Sequence, residues 1–162
     1  MRVLIATDGS DFSCEAIKKG CRLINKNEDL TIKIISVYER VPIMGTEPFA
    51  ISVDYINELS IAMKNEALDH VAKAVVLIKQ TLPSNPIKFS TRIDSGIPEQ
   101  LILETAQEWS ADLIIMGSHG RGFWGRALIG STSDAVIHHA PCPVLVIRKS
   151  EGVRVKSLPG NK

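Results

Sequence analysis

A glycine-rich segment near the C-terminus has the spacing of a phosphate-binding loop. Gly117, Gly120 and Gly130-Ser131 form a G-x2-G-x9-G-[ST] array. The array follows the apolar run 113–116 and precedes the helix-compatible stretch 134–139. The pattern therefore predicts a strand, a glycine-rich loop and the start of a helix.

This junction is suited to binding an anion. Glycine lets backbone N–H groups approach a phosphate closely, and the first turn of a helix has N–H groups without intrahelical acceptors at the positive end of its dipole. Ser131, Thr132 and Ser133 add three hydroxyl groups there. We therefore predict a polyphosphate site. The alternative is that the glycines form a turn and the serines cap the next helix.

Two better-known nucleotide motifs do not explain the segment. Residues 120–125 satisfy G-x-G-x-x-G, but that fingerprint needs its third glycine inside a helix and an acidic residue about twenty positions later at a strand end. This chain has Val144-Leu145-Val146 at that distance, so we interpret the match as accidental. The chain also has no G-x4-G-K-[ST] motif and hence no P-loop lysine. A nucleotide held here would lack the usual phosphoryl-transfer machinery.

The hydrophobic pattern predicts strands that alternate with helices. Short apolar runs bounded by turn residues indicate buried strands, and apolar residues three and four positions apart indicate amphipathic helices. Because parallel strands need crossover connections, the alternation predicts an α/β fold with helices on both faces of a parallel sheet. The predicted strands cover 3–6, 31–37, 87–93, 112–116 and 144–147, and the predicted helices cover 12–24, 51–82, 98–109 and 134–139.

Length and composition favour a single domain. The chain has 162 residues, 44% of them hydrophobic, and a formal net charge of +1 without a basic face, which argues against nucleic acid and anionic membranes as partners. We expect one domain over 1–148 and a polar tail over 149–162. No apolar stretch is long enough to span a membrane, and the odd number of cysteines argues against a disulfide framework, so we expect a cytoplasmic protein.

Residues that follow separate strands should meet at one edge of the sheet. Asp8 follows the first strand, Val37 ends the second and Gly117 ends the fourth. Ligands of open parallel sheets bind beyond the carboxyl ends of the strands, where the strand order reverses. Asp8 could accept hydrogen bonds from a ribose or an adenine edge, and Val37 could contact the base. The alternative for Asp8 is that it caps the first helix.

Four stretches of the chain resemble the universal stress protein family, in particular its ATP-binding branch. The resemblance extends from residue 1 to about 148. The glycine array and the Ala-Pro-Cys-Pro-Val segment are its most specific features. The stretches that carry it are Ala6-Thr7-Asp8-Gly9-Ser10, Ile114-Ile115-Met116-Gly117-Ser118-His119-Gly120-Arg121-Gly122, Gly130-Ser131-Thr132-Ser133 and His139-Ala140-Pro141-Cys142-Pro143-Val144-Leu145-Val146-Ile147-Arg148.

The resemblance implies a fold, a cofactor and a set of site residues. The implied fold is a Rossmann-like, adenine nucleotide alpha hydrolase-like sheet with strand order 3-2-1-4-5, in a homodimer that binds ATP. Independently of the resemblance, Mg²⁺ is expected with a bound triphosphate because it neutralises phosphate charge. Thr7, Asp8 and Val37 would serve the adenosine, with Met116 and Gly117 against it. The residues implied around the phosphates are Gly120, Gly130, Ser131, Thr132 and Ser133, with His119 and Arg121 as neighbours.

The chain departs from the family pattern at Phe123-Trp124, where the family often has small or aliphatic residues. These rings could fold over a nucleotide, pack on the domain or mark a partner surface. Other candidate sites are weaker. His138 and His139 point about 100° apart on a helix and cannot readily chelate one metal, and His70 is expected to be a surface or packing residue.

The fifth strand gives an independent argument for a dimer. If it lies at an edge of the sheet, residues Val144, Leu145, Val146 and Ile147 expose an apolar edge that proteins normally cover. A second copy paired antiparallel would cover that edge symmetrically. The alternative is that the C-terminal tail folds back over it.

The combined features predict an ATP-binding, dimeric sensor or adaptor of the stress response whose occupancy alters the surface presented to an unidentified protein partner. We expect no metal site and no catalytic residue, and at most slow hydrolysis. Two alternatives remain. The first is an enzyme that hydrolyses ATP or transfers an adenylyl group with the same loop. The second is a dimeric interaction module that binds no nucleotide.

Overall fold

The computed structural model describes residues 1–24, 29–39, 52–83, 87–120 and 129–148. Strands and helices alternate along these ranges, as the sequence predicts. Their bounds are β1 Arg2–Ala6, α1 Asp11–Leu23, β2 Leu30–Tyr38, α2 Val53–Thr81, β3 Ile87–Ser95, α3 Pro98–Glu108, β4 Leu113–Gly117, α4 Ser131–His139 and β5 Val144–Ile147.

The five strands form one parallel sheet in the order β3-β2-β1-β4-β5, which confirms the predicted fold. β1 is central, and its Ile5 pairs with Ile34 of β2 on one side and Ile115 of β4 on the other. Because the chain builds outward from β1 first through β2 and β3 and then through β4 and β5, the strand order reverses between β1 and β4. A ligand cleft is expected at the carboxyl ends of these strands.

Alternate residues of the strands supply two separate cores. Val3 and Ile5 of β1 pack in a cluster with buried side chains of α1 and α2. Leu4 and Ala6 face the opposite side, in a cluster with residues of α3 and α4. Because side chains of a strand point alternately to the two faces, a strand covered by helices on both sides is apolar throughout. This explains the continuous apolar run of β1.

Several element boundaries differ from the predicted ones. The strands β2 and β3 are longer than predicted and remain in register to the pair Tyr38 and Ser95, because pairing extends them beyond their apolar residues. The helix α4 begins at Ser131, three residues before the predicted start, since its first turn is polar and has no apolar periodicity. Arg121, the pair Phe123-Trp124 and the tail 149–162 lie outside the described residues.

Across the described ranges, no helix combines the length and the apolar character needed to cross a bilayer.

The close packing of α1 on β4 depends on Gly20. An ideal Cβ at this position would lie 2.8 Å from Cγ2 of Ile115, a core residue with no exposed surface. We expect Gly20→Leu to lower the free energy of unfolding by about 2 kcal/mol, because overpacking the core outweighs the gain in helix propensity. Chemical denaturation would measure the change. Lys18→Leu, at an exposed position of the same helix, is the control and should change stability little. A Gly20→Leu variant as stable as the natural protein would contradict the packing argument.

Candidate functional site

A cleft of about 620 Å³ opens at the carboxyl ends of β1, β2 and β4, where the strand order reverses. Every predicted site residue within the described ranges lines this cleft, and only Arg121 falls outside those ranges. The residues brought together are Thr7, Asp8, Val37, Met116, Gly117, His119, Gly120, Gly130, Ser131, Thr132 and Ser133.

The turn after β1 fixes Asp8 at the mouth of the cleft. Its Oδ1 accepts hydrogen bonds from the N–H of Ser10 at 3.1 Å and from the Ser10 hydroxyl at 2.7 Å. The cap of α1 is Ser10, whose Oγ accepts a hydrogen bond from the N–H of Ser13. The alternative in which Asp8 caps the helix is therefore wrong. The intervening Gly9 has a φ of +73°, a conformation that favours glycine.

Side-chain hydroxyls form buried hydrogen bonds within the same turn. The Thr7 hydroxyl donates to Oγ of Ser13 at 3.1 Å and accepts a hydrogen bond from the N–H of Gly9 at 3.2 Å. The backbone N–H of Thr7 donates to the carbonyl of Ile35 on β2 at 3.0 Å. His70 of α2, which is buried, packs its ring against Gly9, so the packing interpretation of this histidine is confirmed. The acidic end of the cleft is thus held by β2, α1 and α2.

The glycines that follow β4 permit close contacts. An ideal Cβ at Gly117 would lie 2.8 Å from the backbone carbonyl carbon of Phe12, so a side chain here would displace the start of α1. An ideal Cβ at Gly120 would lie 2.8 Å from Oδ2 of Asp8. Because these two positions have no side chain, the end of β4 can approach the start of α1 and the Asp8 carboxylate closely.

The backbone of Ser118 joins the end of β4 to the start of α4. Its carbonyl accepts hydrogen bonds from the N–H of Gly130 at 2.7 Å and from the Ser133 hydroxyl at 3.0 Å. Its N–H donates to the carbonyl of Ile147 on β5 at 3.0 Å. Ser118 is almost completely buried. It was not among the predicted site residues, because a serine between a glycine and a histidine gives no sequence signal of such contacts.

The N-terminus of α4 faces the cleft without a side-chain cap. Gly130 is the capping residue, and no side chain makes a capping hydrogen bond there. The Ser133 hydroxyl instead points back to the carbonyls of Ser118 and Gly130, which lie 3.0 and 2.9 Å away and share its one proton. The alternative in which the serines cap this helix is therefore wrong. The first turn of α4, with Ser131 and Thr132, lines the cleft and offers N–H groups and a positive dipole end to an anion.

His119 lies in the cleft and is held from two sides. Its Nδ1 lies 3.0 Å from the Ser118 hydroxyl, and its ring centroid lies 5.3 Å from that of Phe12 in a tilted arrangement. When the Ser118 hydroxyl donates to Nδ1, the ring proton of the neutral imidazole is on Nε2. Nε2 is then a hydrogen-bond donor, which suits an anionic oxygen.

Away from the start of α4, the cleft is lined by apolar and acidic side chains. Val37 and Met116 line it, as predicted, together with residues that the sequence reasoning missed. Ile35 could have been found, because it lies two positions before Val37 on the same strand face. The contribution of α3 could not, since it depends on how a helix crosses the sheet. The missed lining residues are Ala6, Ser13, Ile35, Glu39, Pro98, Ile102 and Ile129.

Metal-binding and thiol side chains are two further candidates for chemistry in the parts of the chain that the structure describes. Those parts contain no group of three or more histidine, cysteine, aspartate or glutamate side chains arranged to hold a metal ion. All three cysteines are free. Burial raises the pKa of Cys21 to about 11 and raises those of Cys14 and Cys142 as well, so the neutral thiol predominates at neutral pH.

The chain matches known proteins over most of its length. A model of the Universal stress protein family matches residues 1–148. A universal stress protein of Methanocaldococcus jannaschii is 36% identical over 148 residues, which cover 91% of this chain and 82% of the relative. The solved structure of UspA from Lactobacillus plantarum is 28% identical, with a TM-score of 0.73, and the match covers 91% of this chain and 97% of that one.

A more distant solved structure has the same fold. It is a universal stress protein family member from Arabidopsis thaliana, solved with AMP bound. It is 14% identical, with a TM-score of 0.53, and the match covers 93% of each chain.

The contact between Ser118 and His119 can be tested without a ligand. We expect Ser118→Ala to weaken the preference of His119 for the Nε2–H tautomer by about fivefold, because a hydrogen bond worth about 1 kcal/mol is lost. The ¹⁵N chemical shifts of the imidazole would report the change. Ser133→Ala is the matched control, since its hydroxyl contacts the Ser118 carbonyl and not the imidazole. A tautomer that is unchanged in Ser118→Ala would contradict this role.

Proposed function

Because the chain belongs to the universal stress protein family, we propose that it is an ATP-binding, dimeric sensor or adaptor of the stress response. The observation that carries the proposal is the polarity of the cleft. The side next to β4 and α4 has Gly130, hydroxyls and an uncapped helix N-terminus, and the side next to β2 has Glu39 beside an apolar wall. Asp8, after the central strand β1, lies between them and against Gly120. This is the arrangement that a nucleoside with a phosphate chain requires.

The two sides of the cleft support one direction for the proposed nucleotide. Phosphates lie at the first turn of α4, where N–H groups and the hydroxyls of Ser131 and Thr132 meet them. The adenosine lies at the other end, because the carboxylates of Asp8 and Glu39 repel phosphate but accept hydrogen bonds from ribose hydroxyls or the adenine amino group. Val37 and Met116 contact the base. The AMP-bound Arabidopsis protein is consistent with an adenine nucleotide as ligand of this fold.

Magnesium enters this proposal with the triphosphate. The described residues offer no dedicated set of carboxylate ligands, so the phosphate oxygens and water supply the coordination. The ion neutralises phosphate charge when bound. Arg121, which lies outside the described residues, remains predicted as a neighbour of the phosphates.

We propose binding, and not turnover, as the function. The sequence has no P-loop lysine to reach the β and γ phosphates. Occupancy of the cleft would then be the signal, read through a change in the surface offered to a protein partner. We propose that the protein acts in the cytoplasm, and its three free cysteines are consistent with a reducing compartment.

The edge of β5 is the proposed dimer interface. The N–H of Ile114 donates to the carbonyl of Pro143, and that of Ser118 donates to Ile147. Because backbone groups of a strand alternate in direction, the N–H and C=O groups of Val144 and Val146 point away from β4. These groups are available to an antiparallel β5 of a second copy, which would cover the apolar edge.

Nucleotide binding should depend on Gly130. An ideal Cβ there lies 3.3 Å from the Ser118 carbonyl oxygen and 3.4 Å from Cα of His119, so the branched side chain of Gly130→Val would force the loop away from α4. Calorimetric titration with ATP and magnesium, after removal of any nucleotide carried through purification, should show affinity reduced by about a hundredfold, or about 3 kcal/mol. Gln107→Val, at an exposed position of α3, is the control.

The same titration separates the alternatives. A folded, nucleotide-free natural protein that does not bind ATP would contradict the proposal and leave a dimeric interaction module. Turnover of bound ATP far above that of Gly130→Val would instead identify an enzyme.

The β5 interface can be tested through one backbone donor. Val146→Pro removes an N–H that points outward and leaves the bonds to β4 intact, so at low protein concentration the variant should be folded but monomeric. Sedimentation equilibrium would show the mass fall by half. Val146→Ala keeps the N–H and should stay dimeric. A Val146→Pro variant that stays dimeric even at the lowest protein concentrations, where weak contacts dissociate, would show that the interface lies elsewhere.

A further inference from the structure

The helix α2 has an apolar stripe on the side opposite the core. Its buried residues, among them Ala67, Val71 and Ile78, face the sheet. Ile61, Leu68 and Val76 are instead 59%, 46% and 53% exposed. At about 100° per residue, these three fall within a sector of about 80° that points away from the buried side chains. Ala72, also exposed, lies in the middle of this sector.

Single exposed apolar residues are common on protein surfaces, but these have a symmetrical arrangement. Ile61 and Val76 are the same number of residues along the helix from the midpoint between Leu68 and Asp69. Asn65 and Ala72 are equidistant from the same midpoint. If a second α2 packed antiparallel across a two-fold axis at that point, Ile61 would meet Val76 of the other copy and Asn65 would meet Ala72.

One pair of opposite charges beside the stripe has the same symmetry, whereas Asp54 has no charged counterpart and Asp69 lies next to the axis itself. Glu58 and Lys79 are exposed, lie in the same sector and are equidistant from the midpoint. An antiparallel pair of helices would place each Glu58 beside Lys79 of the other copy, whereas a parallel pair would bring like charges together. The Lys79 ammonium lies 5.9 Å from the Phe89 ring centroid, near the outer limit of a cation–π contact, so little is lost when it turns to a carboxylate.

We infer that the outer face of α2 is a self-association surface whose occupant is a second copy of this chain. The two helices pack antiparallel about the two-fold axis, with the apolar stripe at the centre and a Glu58–Lys79 pair at each end. Helix axes about 8–10 Å apart would let these side chains interdigitate. The contact area of one helix pair is small, so association is weak and depends on protein concentration.

This surface is separate from the proposed β5 interface. α2 packs on β2 and the edge strand β3, whereas β5 is the opposite edge of the sheet. One chain can therefore use both surfaces at once. Two such two-fold contacts per chain would convert dimers into tetramers or longer assemblies.

Charge reversal provides a direct test. The background is Val146→Pro, which is expected to isolate the α2 contact from the β5 contact. Sedimentation velocity over a concentration series should show reversible dimers of this variant. Glu58→Lys or Lys79→Glu added singly should raise the dissociation constant by about tenfold or more, because each interface contains the pair twice. The two reversals together should restore association.

Controls separate a specific contact from a general change in surface charge. Glu104→Lys, at an exposed position of α3, should leave the mass unchanged. Leu68→Glu should abolish association, since it replaces the central apolar side chain and adds two carboxylates next to the two Asp69 carboxylates at the two-fold axis. None of these positions lines the nucleotide cleft, so ATP titration should be unaffected. If the mass does not rise with concentration, or if the double reversal fails to restore what the single reversals lose, the α2 interface does not exist.

Discussion

The carbonyl of Ser118 accepts hydrogen bonds from both Gly130 and Ser133, and this contact sets where α4 begins relative to the sheet. The hydroxyl of the same residue contacts His119 in the cleft, and its N–H donates to the carbonyl of Ile147 on β5. Because Ser118 is buried, these bonds are shielded from water, which strengthens them. The part of the cleft that is proposed to hold phosphate depends on this one residue, just as the acidic part depends on the turn at Asp8.

A physical connection between the cleft and the edge strand β5 follows from this arrangement. The helix α4 begins in the cleft at Ser131 and ends at His139, and the chain then enters β5 at Val144. The N–H of Ser118 provides a second link, to Ile147. In the proposed sensor, an anion that pulls on the start of α4 would therefore act on the element that forms the proposed β5 interface. This is a coupling through packed and hydrogen-bonded elements of the kind that allosteric proteins use.

The sequence predicts the fold well because the alternation of apolar runs has one simple solution. The continuous apolar run of β1 requires burial on both faces, and the order of strands and helices then requires a parallel sheet. The site was predictable where chemistry and strand position coincide, as at Asp8, Val37 and the glycine array. It was not predictable where a contact crosses the cleft: the lining by Pro98 and Ile102 depends on the course of α3.

Local capping was the weakest part of the prediction. A serine, an aspartate and a glycine all suit the start of a helix, and only the geometry shows that Ser10 caps α1 while Asp8 accepts hydrogen bonds from it. The start of α4 was missed for a related reason, since polar first-turn residues carry no apolar periodicity.

The most direct test of the central claim is to map the ligand on the cleft by NMR. Backbone amide resonances of ¹⁵N-labelled protein would be followed during titration with ATP, adenosine and inorganic triphosphate in turn. The account predicts that adenosine shifts Thr7, Asp8 and Val37, that triphosphate shifts Ser131, Thr132 and Ser133, and that ATP shifts both groups. Shifts by ATP confined to residues outside these two groups, or no shifts at all, would contradict it.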